Sequence, residues 1–408
     1  MNTIGIIAEY NPFHKGHLYH IRKTRERARA DAIIAVISSN FVQRGGPAIL
    51  DKGVRAKSAL LCGVDLVLEL PVVFSGHNAG PFANAAVDIL AATGVTDVIS
   101  FGMESPDDGI SRLSGLADIL NHEPDLFRMP LKKFLAAGYS FVQARSMALD
   151  EMIPGSLELL KRPNNNLALA YVKRIREKNY PLTPFAVRRL GAGHNDAEAD
   201  GRAEEFASAA AIRGLAASGE IARASALMPE ASARLLIEAR ESGHSAHDGG
   251  RLWTAIKQSL LRSGARELAG IAGVSEGIEN RLMDMAYRSE SYDSFAGSCV
   301  SRRYPLGRIR RICAHLLLNM RQEESLEFQK KGPAYIRTLG ANERGRELLC
   351  KMRRSTSLPL IARPSAPWSA YARSMMQFEH RSTELWETLT QNPRARAESR
   401  YVPIMTGG

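Results

Sequence analysis

His14 and His17 stand three positions apart in the run Glu9-Tyr10-Asn11-Pro12-Phe13-His14-Lys15-Gly16-His17-Leu18-Tyr19-His20. That spacing is close to one helical turn, so on a helix both imidazoles share a face. At the start of a helix they would stand beside unpaired N–H groups and the positive end of the dipole, where phosphate binds. Imidazole donors aimed at an α-phosphate stabilise the charge that builds during attack on phosphorus, with no covalent step by the protein. Gly16 lets a nucleotide approach the backbone, and Asn11-Pro12 sets the turn leading in. The run follows an apolar segment, Ile4-Gly5-Ile6-Ile7-Ala8. Residues Ile7, Ala8 and Glu9 through His20 are therefore the expected nucleotide-triphosphate site, with His14 and His17 as its catalytic pair. A second constellation, Phe206-Ala207-Ser208-Ala209-Ala210-Ala211-Ile212-Arg213, supplies a serine able to cap a helix while facing phosphate, and Arg213 about one turn further along.

The elements that must position these residues alternate in the βαβ manner. Short β-branched runs near Thr3–Ala8, Ala32–Ile37, Asp65–Leu70 and Asp97–Phe101 are separated by stretches of helical spacing at Leu18–Arg29, Lys52–Leu61 and Ala79–Ala92. Strands apolar on both faces and alternating with helices predict a parallel sheet covered on both sides. Ligands on such sheets bind beyond the carboxyl ends of the strands. Residues 109–180 read as helices, Pro184–Leu190 as a last strand, Gly191–Asp196 as a loop, and Ala207–Ala216 as a helix. From about 220 onward the pattern is helical, with no convincing strand.

A chain of 408 residues exceeds what one core usually serves. The expected division is a catalytic unit over 1–218 and a helical, basic unit over 219–408. Charge supports it: residues 1–200 hold 23 Lys and Arg against 21 Asp and Glu, and the remainder 31 against 22. A basic second half suits a polyanion. The four scattered cysteines form no C-x-x-C pair, so neither a structural zinc nor a disulfide framework is expected. There is no apolar run of about 18 residues and no secretory leader pattern, so the expected location is the cytoplasm, without membrane contact.

Several blocks carry a closer likeness: Glu9-Tyr10-Asn11-Pro12-Phe13-His14, Ser39-Asn40-Phe41-Val42-Gln43-Arg44-Gly45, Gly63-Val64-Asp65-Leu66-Val67-Leu68-Glu69-Leu70-Pro71 and Phe101-Gly102-Met103-Glu104. Arg162-Pro163-Asn164-Asn165-Asn166-Leu167, Arg189-Leu190-Gly191-Ala192-Gly193, Ser275–Arg281, Arg303-Tyr304 and Tyr335–Gly340 continue it. In these the chain resembles the bacterial tRNA(Met) cytidine acetate ligase family, within the HIGH-type nucleotidyltransferase superfamily. The resemblance implies a Rossmann-like, HUP-type α/β domain followed by a mostly helical RNA-binding domain. It implies formation of N4-acetylcytidine at the wobble position of elongator tRNA(Met): acetate attacks the α-phosphate of ATP, and the acetyl-adenylate then acetylates the cytidine amine. On that reading Gly102 admits the adenosine, Asn164 or Asn165 bonds nucleotide edges, and Arg189, next to Leu190, holds ribose or phosphate oxygens. Asn40, in a polar loop with Ser39, Gln43 and Arg44, joins the catalytic residues near acetate or cytidine. No metal ligands are expected, with Mg2+ left open as a companion of ATP, and oligomeric state is open. The chain departs from the family pattern at Ala210, at Gly193-His194-Asn195, and over its last 45 or so residues.

Ser301–Arg321 holds six arginines and no acid, with Ile309, Ile312, Leu316 and Leu317 as an apolar stripe. Arg302, Arg303, Arg308, Arg310 and Arg311 are thus expected tRNA contacts, and Tyr304 a base-stacking platform. Residues 351–373 add five basic groups, again without acids, plus Trp368 and Tyr371. The superfamily motif alone also permits an adenylyltransferase acting on a small phosphorylated metabolite, and an RNA-binding protein that only senses ATP is the non-enzymatic alternative.

Overall fold

The computed structural model describes residues 1–104, 109–189, 206–246, 249–364 and 369–407. Its central sheet is built on five parallel strands, β1 (Thr3–Ala8), β2 (Ala32–Ser38), β5 (Leu66–Leu70), β6 (Val98–Met103) and β7 (Thr183–Arg188). β3 (Phe41–Val42) and β4 (Gly46–Pro47) form a separate small hairpin. The order β5-β2-β1-β6-β7 puts β1 in the middle, so the chain reverses direction across the sheet beside it. The segment after β1 is therefore at the position where such sheets bind ligands. Every residue of β2 and β5 is buried, which explains why their sequences are apolar apart from Ser38 and Glu69. The helices Lys52–Leu61 and Ala79–Ala92 start where expected, capped by Asp51 and Asn78.

The expectation of no strands after 220 is corrected by the structure. β8 (Ile336–Ala341) pairs antiparallel with β5, and β9 (Leu360–Ile361) and β10 (Ile404–Met405) pair with opposite ends of β8. The sheet thus takes strands from both sides of the boundary expected at residue 218. β8 escaped notice because Arg337 interrupts its apolar run, yet that side chain is fully buried. Arg337 bonds Glu69 at 3.0 Å and Glu398, while Lys52 Nζ contacts Glu69 at 2.5 Å, Glu398 at 2.8 Å and Glu379 at 3.2 Å. Two cations and three carboxylates in direct contact are tied together from five separate segments. Burial, with Glu69 adding to it, pushes the Glu379 carboxyl up to about 8, so one proton completes the charge balance.

Residues 249–317 form a helical layer with its own apolar cluster around Trp253, Ile256, Leu282, Phe295, Ile309 and Ile312. This layer meets the sheet domain at the β3–β4 hairpin. Gly45, at φ +81°, lies directly against the backbone of Arg310 and Arg311 in the helix Leu306–Leu317, leaving no room for a Cβ.

Candidate active site

A cavity of about 350 Å³ opens at the carboxyl end of β1, between the helices Lys15–Arg27 and Ala209–Ala217. One end is apolar, lined by Ile7, Ala8, Phe101, Gly102, Leu167, Tyr171 and Val187; the other holds His14, His17, Arg44, Ser208 and Arg213. Both helices present their N-termini to the polar end, so two positive dipole ends converge there, although in the helix Lys15–Arg27 the Lys15, Gly16 and His17 amides already donate to Leu227 and His14.

The histidine pair is positioned by the backbone. His14 is the N-cap of its helix, and its Nδ1 accepts from the Gly16 amide at 3.1 Å. His17 Nδ1 accepts from the His14 amide at 3.2 Å, closing a capping box made of two imidazoles. With both Nδ1 atoms accepting, the ring proton of each neutral imidazole lies on Nε2, the nitrogen free to donate. The rings stack with centroids 3.7 Å apart, and Tyr10 and Phe13 pack on His17 at 4.9 and 5.4 Å. Burial, with Arg189 and Arg213 adding to it, pulls His14 down to about 4, and burial with His14 beside it holds His17 well below its ordinary value. Both are neutral donors at pH 7.

Arginines surround this pair. Arg213 Nη1 donates to the Asn11 carbonyl at 2.6 Å, and Ser208 caps its helix through the Ala211 amide at 3.2 Å. Arg189 Nη1 donates to Asn164 Oδ1 at 3.2 Å, and Asn164 Nδ2 to Glu104 at 2.6 Å. The stem of Arg189 lies over Gly102, where a Cβ would come within 2.9 Å of it. Two buried polar atoms of the cavity wall, Glu9 Oε1 and Arg189 Nε, have no hydrogen-bond partner among the described residues. Burial raises the Glu9 carboxyl, an effect opposed by Arg44, Arg213 and Arg55. Unpaired donors and acceptors in a wall of this kind are what a polar ligand would satisfy.

The chain matches the HIGH Nucleotidyl Transferase family over residues 1–400. It is 38% identical over 370 residues to the tRNA(Met) cytidine acetate ligase of Thermoanaerobacter sp. (strain X514), covering 90% of this chain and 89% of that one. The Clostridium perfringens (strain ATCC 13124) protein of the same name is 36% identical over 411 residues, 98% of each chain. This chain belongs to the tRNA(Met) cytidine acetate ligase family. Its fold matches the crystal structure of Thermotoga maritima TmcAL bound with alpha-thio ATP, with a TM-score of 0.89, 32% identity and 99% of both chains covered. The apo form of that protein matches at a TM-score of 0.92.

Within this member of the ligase family, the structure gathers most of the residues expected for the nucleotide. Ile7, Ala8, Glu9, Tyr10, Asn11, His14, Gly16, His17, Tyr19, His20, Gly102, Asn164, Arg189, Ser208 and Arg213 all line the cavity. Pro12, Phe13, Lys15 and Leu18 are not in its wall: Phe13 is packed in the core and Leu18 packs against the same cluster. Asn165 is buried behind the wall, its Nδ2 donating to the Leu159 carbonyl at 2.9 Å. Leu190, His194 and the Gly191–Asn195 loop lie outside the described residues. Asn40 stands apart from the cavity. Both ends of its amide are engaged, Oδ1 by the Lys52 amide at 2.8 Å and Nδ2 by Thr383 at 3.1 Å. It is a support for the loop, and of that loop only Gln43 and Arg44 reach the cavity. Sequence reasoning missed Arg55, which is fully buried and donates to the carbonyls of Glu9, Ser38, Ser39 and Leu50 at 2.7–3.0 Å. It locks the ends of β1 and β2 together, and no local pattern announces it.

The arginine-rich segment is also corrected. Tyr304 is buried, its hydroxyl bonded to Ser275, and Arg308 lies on its ring at 4.0 Å, so no base can stack there. Arg303 pairs with Glu276 at 3.2 Å and Arg310 with Asp293 at 3.1 Å, while Arg311 reaches the Gln43 carbonyl at 3.4 Å. Arg302 alone of the group is exposed without a carboxylate partner among the described residues.

Proposed function

We propose that this chain makes N4-acetylcytidine at the wobble position of elongator tRNA(Met), from ATP and acetate. The observation that carries the reading is the imidazole capping box, which presents two Nε2–H donors to a cavity where two helix N-termini meet. In the first step a carboxylate oxygen of acetate attacks the α-phosphorus, the bond to the bridging oxygen breaks, and pyrophosphate leaves. Adenine occupies the apolar end beside Phe101 and Gly102, and the triphosphate lies along His14, His17, Ser208 and Arg213. The neutral imidazoles donate to oxygens that gain charge as attack proceeds, a contribution of about 3 kcal/mol per donor in comparable sites. In the second step the cytidine amine attacks the acetyl carbonyl, AMP leaves, and the amine loses a proton.

Gln43 and Arg44 line the cavity wall on the side of the 249–317 helical layer and are the chain's best-placed groups for acetate or the entering cytidine. Among the described residues no group of three or more His, Cys, Asp or Glu is arranged to hold a metal, so magnesium would arrive on the triphosphate oxygens. Residues 1–218 carry the nucleotide chemistry in this reading, and residues 219–408 carry tRNA contacts and the strands that complete the sheet. Among the described residues no helix is long and apolar enough to cross a membrane, and a tRNA substrate assigns the chain to the cytoplasm. Purified protein incubated with labelled acetate, ATP and total tRNA, followed by digestion to nucleosides, tests the reading. Labelled N4-acetylcytidine is expected, and its absence rejects the assignment.

A further inference from the structure

The longest acid-free stretch in the first half of the chain is one the arginine-rich segment overshadows. Residues 126–149 contain Arg128, Lys132, Lys133 and Arg145 and no Asp or Glu. They fold as two packed helices, Asp125–Ala136 and Phe141–Met152, joined by the turn Ala137–Ser140. At and beside that turn, Phe141 and Val142 are each 59% exposed and Tyr139 is 39% exposed. Large apolar side chains that face water beside cations, instead of entering the core, mark an interaction surface.

Arg128 pairs with Glu123 and Asp125 at 4.0 Å, which leaves the lysines as the hairpin's exposed cations without such a partner among the described residues. Lys132, Lys133 and Arg302 are exposed and make no ion pair with a carboxylate among the described residues, whereas Arg303 and Arg310 are already neutralised by Glu276 and Asp293. Arg302 reaches across to the turn: its guanidinium lies 5.5 Å from the centre of the Tyr139 ring and closes over Gly138. From Arg302 the chain runs into the helix Leu306–Leu317, which packs on Gly45, one residue from Arg44 in the cavity wall. On the other side, the helix Phe141–Met152 leads through Ser156–Lys161 to Pro163 and Asn164, which also line the cavity. Two segments of chain thus connect the elements at the turn with residues at or next to the cavity wall.

We infer that this helical hairpin is a second RNA-binding surface, on which Tyr139 and Phe141 stack against unpaired bases and Val142 packs beside them, while Lys132, Lys133 and Arg302 hold the flanking phosphates. The inference rests on the tRNA substrate assigned above. Exposed cations without a carboxylate partner among the described residues fit a polyanion, and exposed rings beside them fit unstacked bases, which are how single-stranded RNA loops are recognised. A cytidine acetylated within a loop must leave its neighbours' stack to enter the cavity, and an exposed apolar platform elsewhere on the protein would receive bases of the opened loop.

Three full-length variants test it: Phe141→Ala, Tyr139→Ala, and Lys132→Ala combined with Lys133→Ala. All alter exposed side chains, so circular dichroism and thermal midpoint should match the wild type. Binding of an elongator tRNA(Met) transcript is measured across a salt series, and acetate-dependent ATP–pyrophosphate exchange is measured without tRNA. Phe141→Ala is expected to weaken tRNA binding about tenfold with an unchanged salt slope. The double lysine variant should weaken binding and lower the slope of log Kd against log salt by about 1.5. Exchange should be unchanged in all three. Affinities within twofold of the wild type would overturn the inference and leave the ligase reading standing. A wild-type dimer that Phe141→Asp dissolves, with tRNA affinity intact, would instead make the patch a protein interface and overturn it too. Wild-type protein that binds no tRNA would overturn both.

Discussion

Replacing His14 by asparagine separates two jobs that the imidazole does at once. Its Nδ1 caps the helix Lys15–Arg27 through the Gly16 amide, and its Nε2–H points to the cavity. Asparagine places Oδ1 where Nδ1 stood and is among the best N-cap residues, so the cap survives, while the side chain ends short of the Nε2 position. His14→Ala removes both functions. Both variants give up the 3.7 Å stacking contact with His17, so that loss cancels between them. The cap is worth about 1 kcal/mol, and His14→Ala should be less stable than His14→Asn by that amount. For the chemistry, loss of one donor to developing charge costs about 100- to 1,000-fold in rate. Acetate-dependent ATP–pyrophosphate exchange should therefore fall by that factor in both variants alike, while urea unfolding separates them. If His14→Asn exchanged at the wild-type rate, the imidazole would not be a phosphate donor. If it were as unstable as His14→Ala, the capping geometry would be wrong.

Further outcomes follow from the packing around the site. Gly45→Ala would place a Cβ against the Arg310–Arg311 backbone at a left-handed φ of +81°. It should destabilise the protein by more than 1 kcal/mol in urea unfolding and weaken tRNA binding, because the helix Leu306–Leu317 must shift from the cavity loop. Glu379→Gln should flatten part of the stability profile. The carboxyl holds its proton in the folded state up to about 8 but loses it near 4.5 when unfolded. The wild type's advantage from this group is therefore full below pH 4.5 and lost by pH 8, at a slope of at most about 1.4 kcal/mol per pH unit. Thermal melts from pH 5 to 9 read the difference, and parallel profiles would refute it. Tyr304→Phe removes a buried hydroxyl bonded to Ser275 and should cost about 1 kcal/mol of stability while leaving tRNA affinity unchanged. Weakened RNA binding at full stability would show that the hydroxyl meets RNA and is not spent on Ser275.

The nucleotide end of the molecule was legible because its determinants are local. A buried strand, a turn and a capped helix follow each other within residues 3–27, and the histidine spacing is the spacing of the capping box itself. Ser208 and Arg213 were legible for the same reason, since a cap and a residue one turn later are set by neighbours in sequence. The ion pairs of the arginine segment were not legible because its acids are remote. Arg310, Arg303 and Arg321 meet Asp293, Glu276 and Glu267, which lie 17, 27 and 54 positions away. An absence of acids within a run says nothing about acids that the fold brings to it. β8 was hidden likewise: Arg337 reads as a surface residue until Glu69, 268 positions earlier, is placed beside it. Asn40 looked chemical because polar residues after a strand often are, but its amide is spent holding Lys52 and Thr383.

The account's central claim is that acetate displaces pyrophosphate from the α-phosphorus held by His14 and His17. Acetate labelled with 18O in both carboxylate oxygens, turned over with ATP and tRNA, tests it in one mass spectrum. AMP carrying one 18O atom is the predicted product, because the attacking oxygen stays on phosphorus when the cytidine amine takes the acetyl group. Unlabelled AMP, or release of ADP in its place, would contradict the claim.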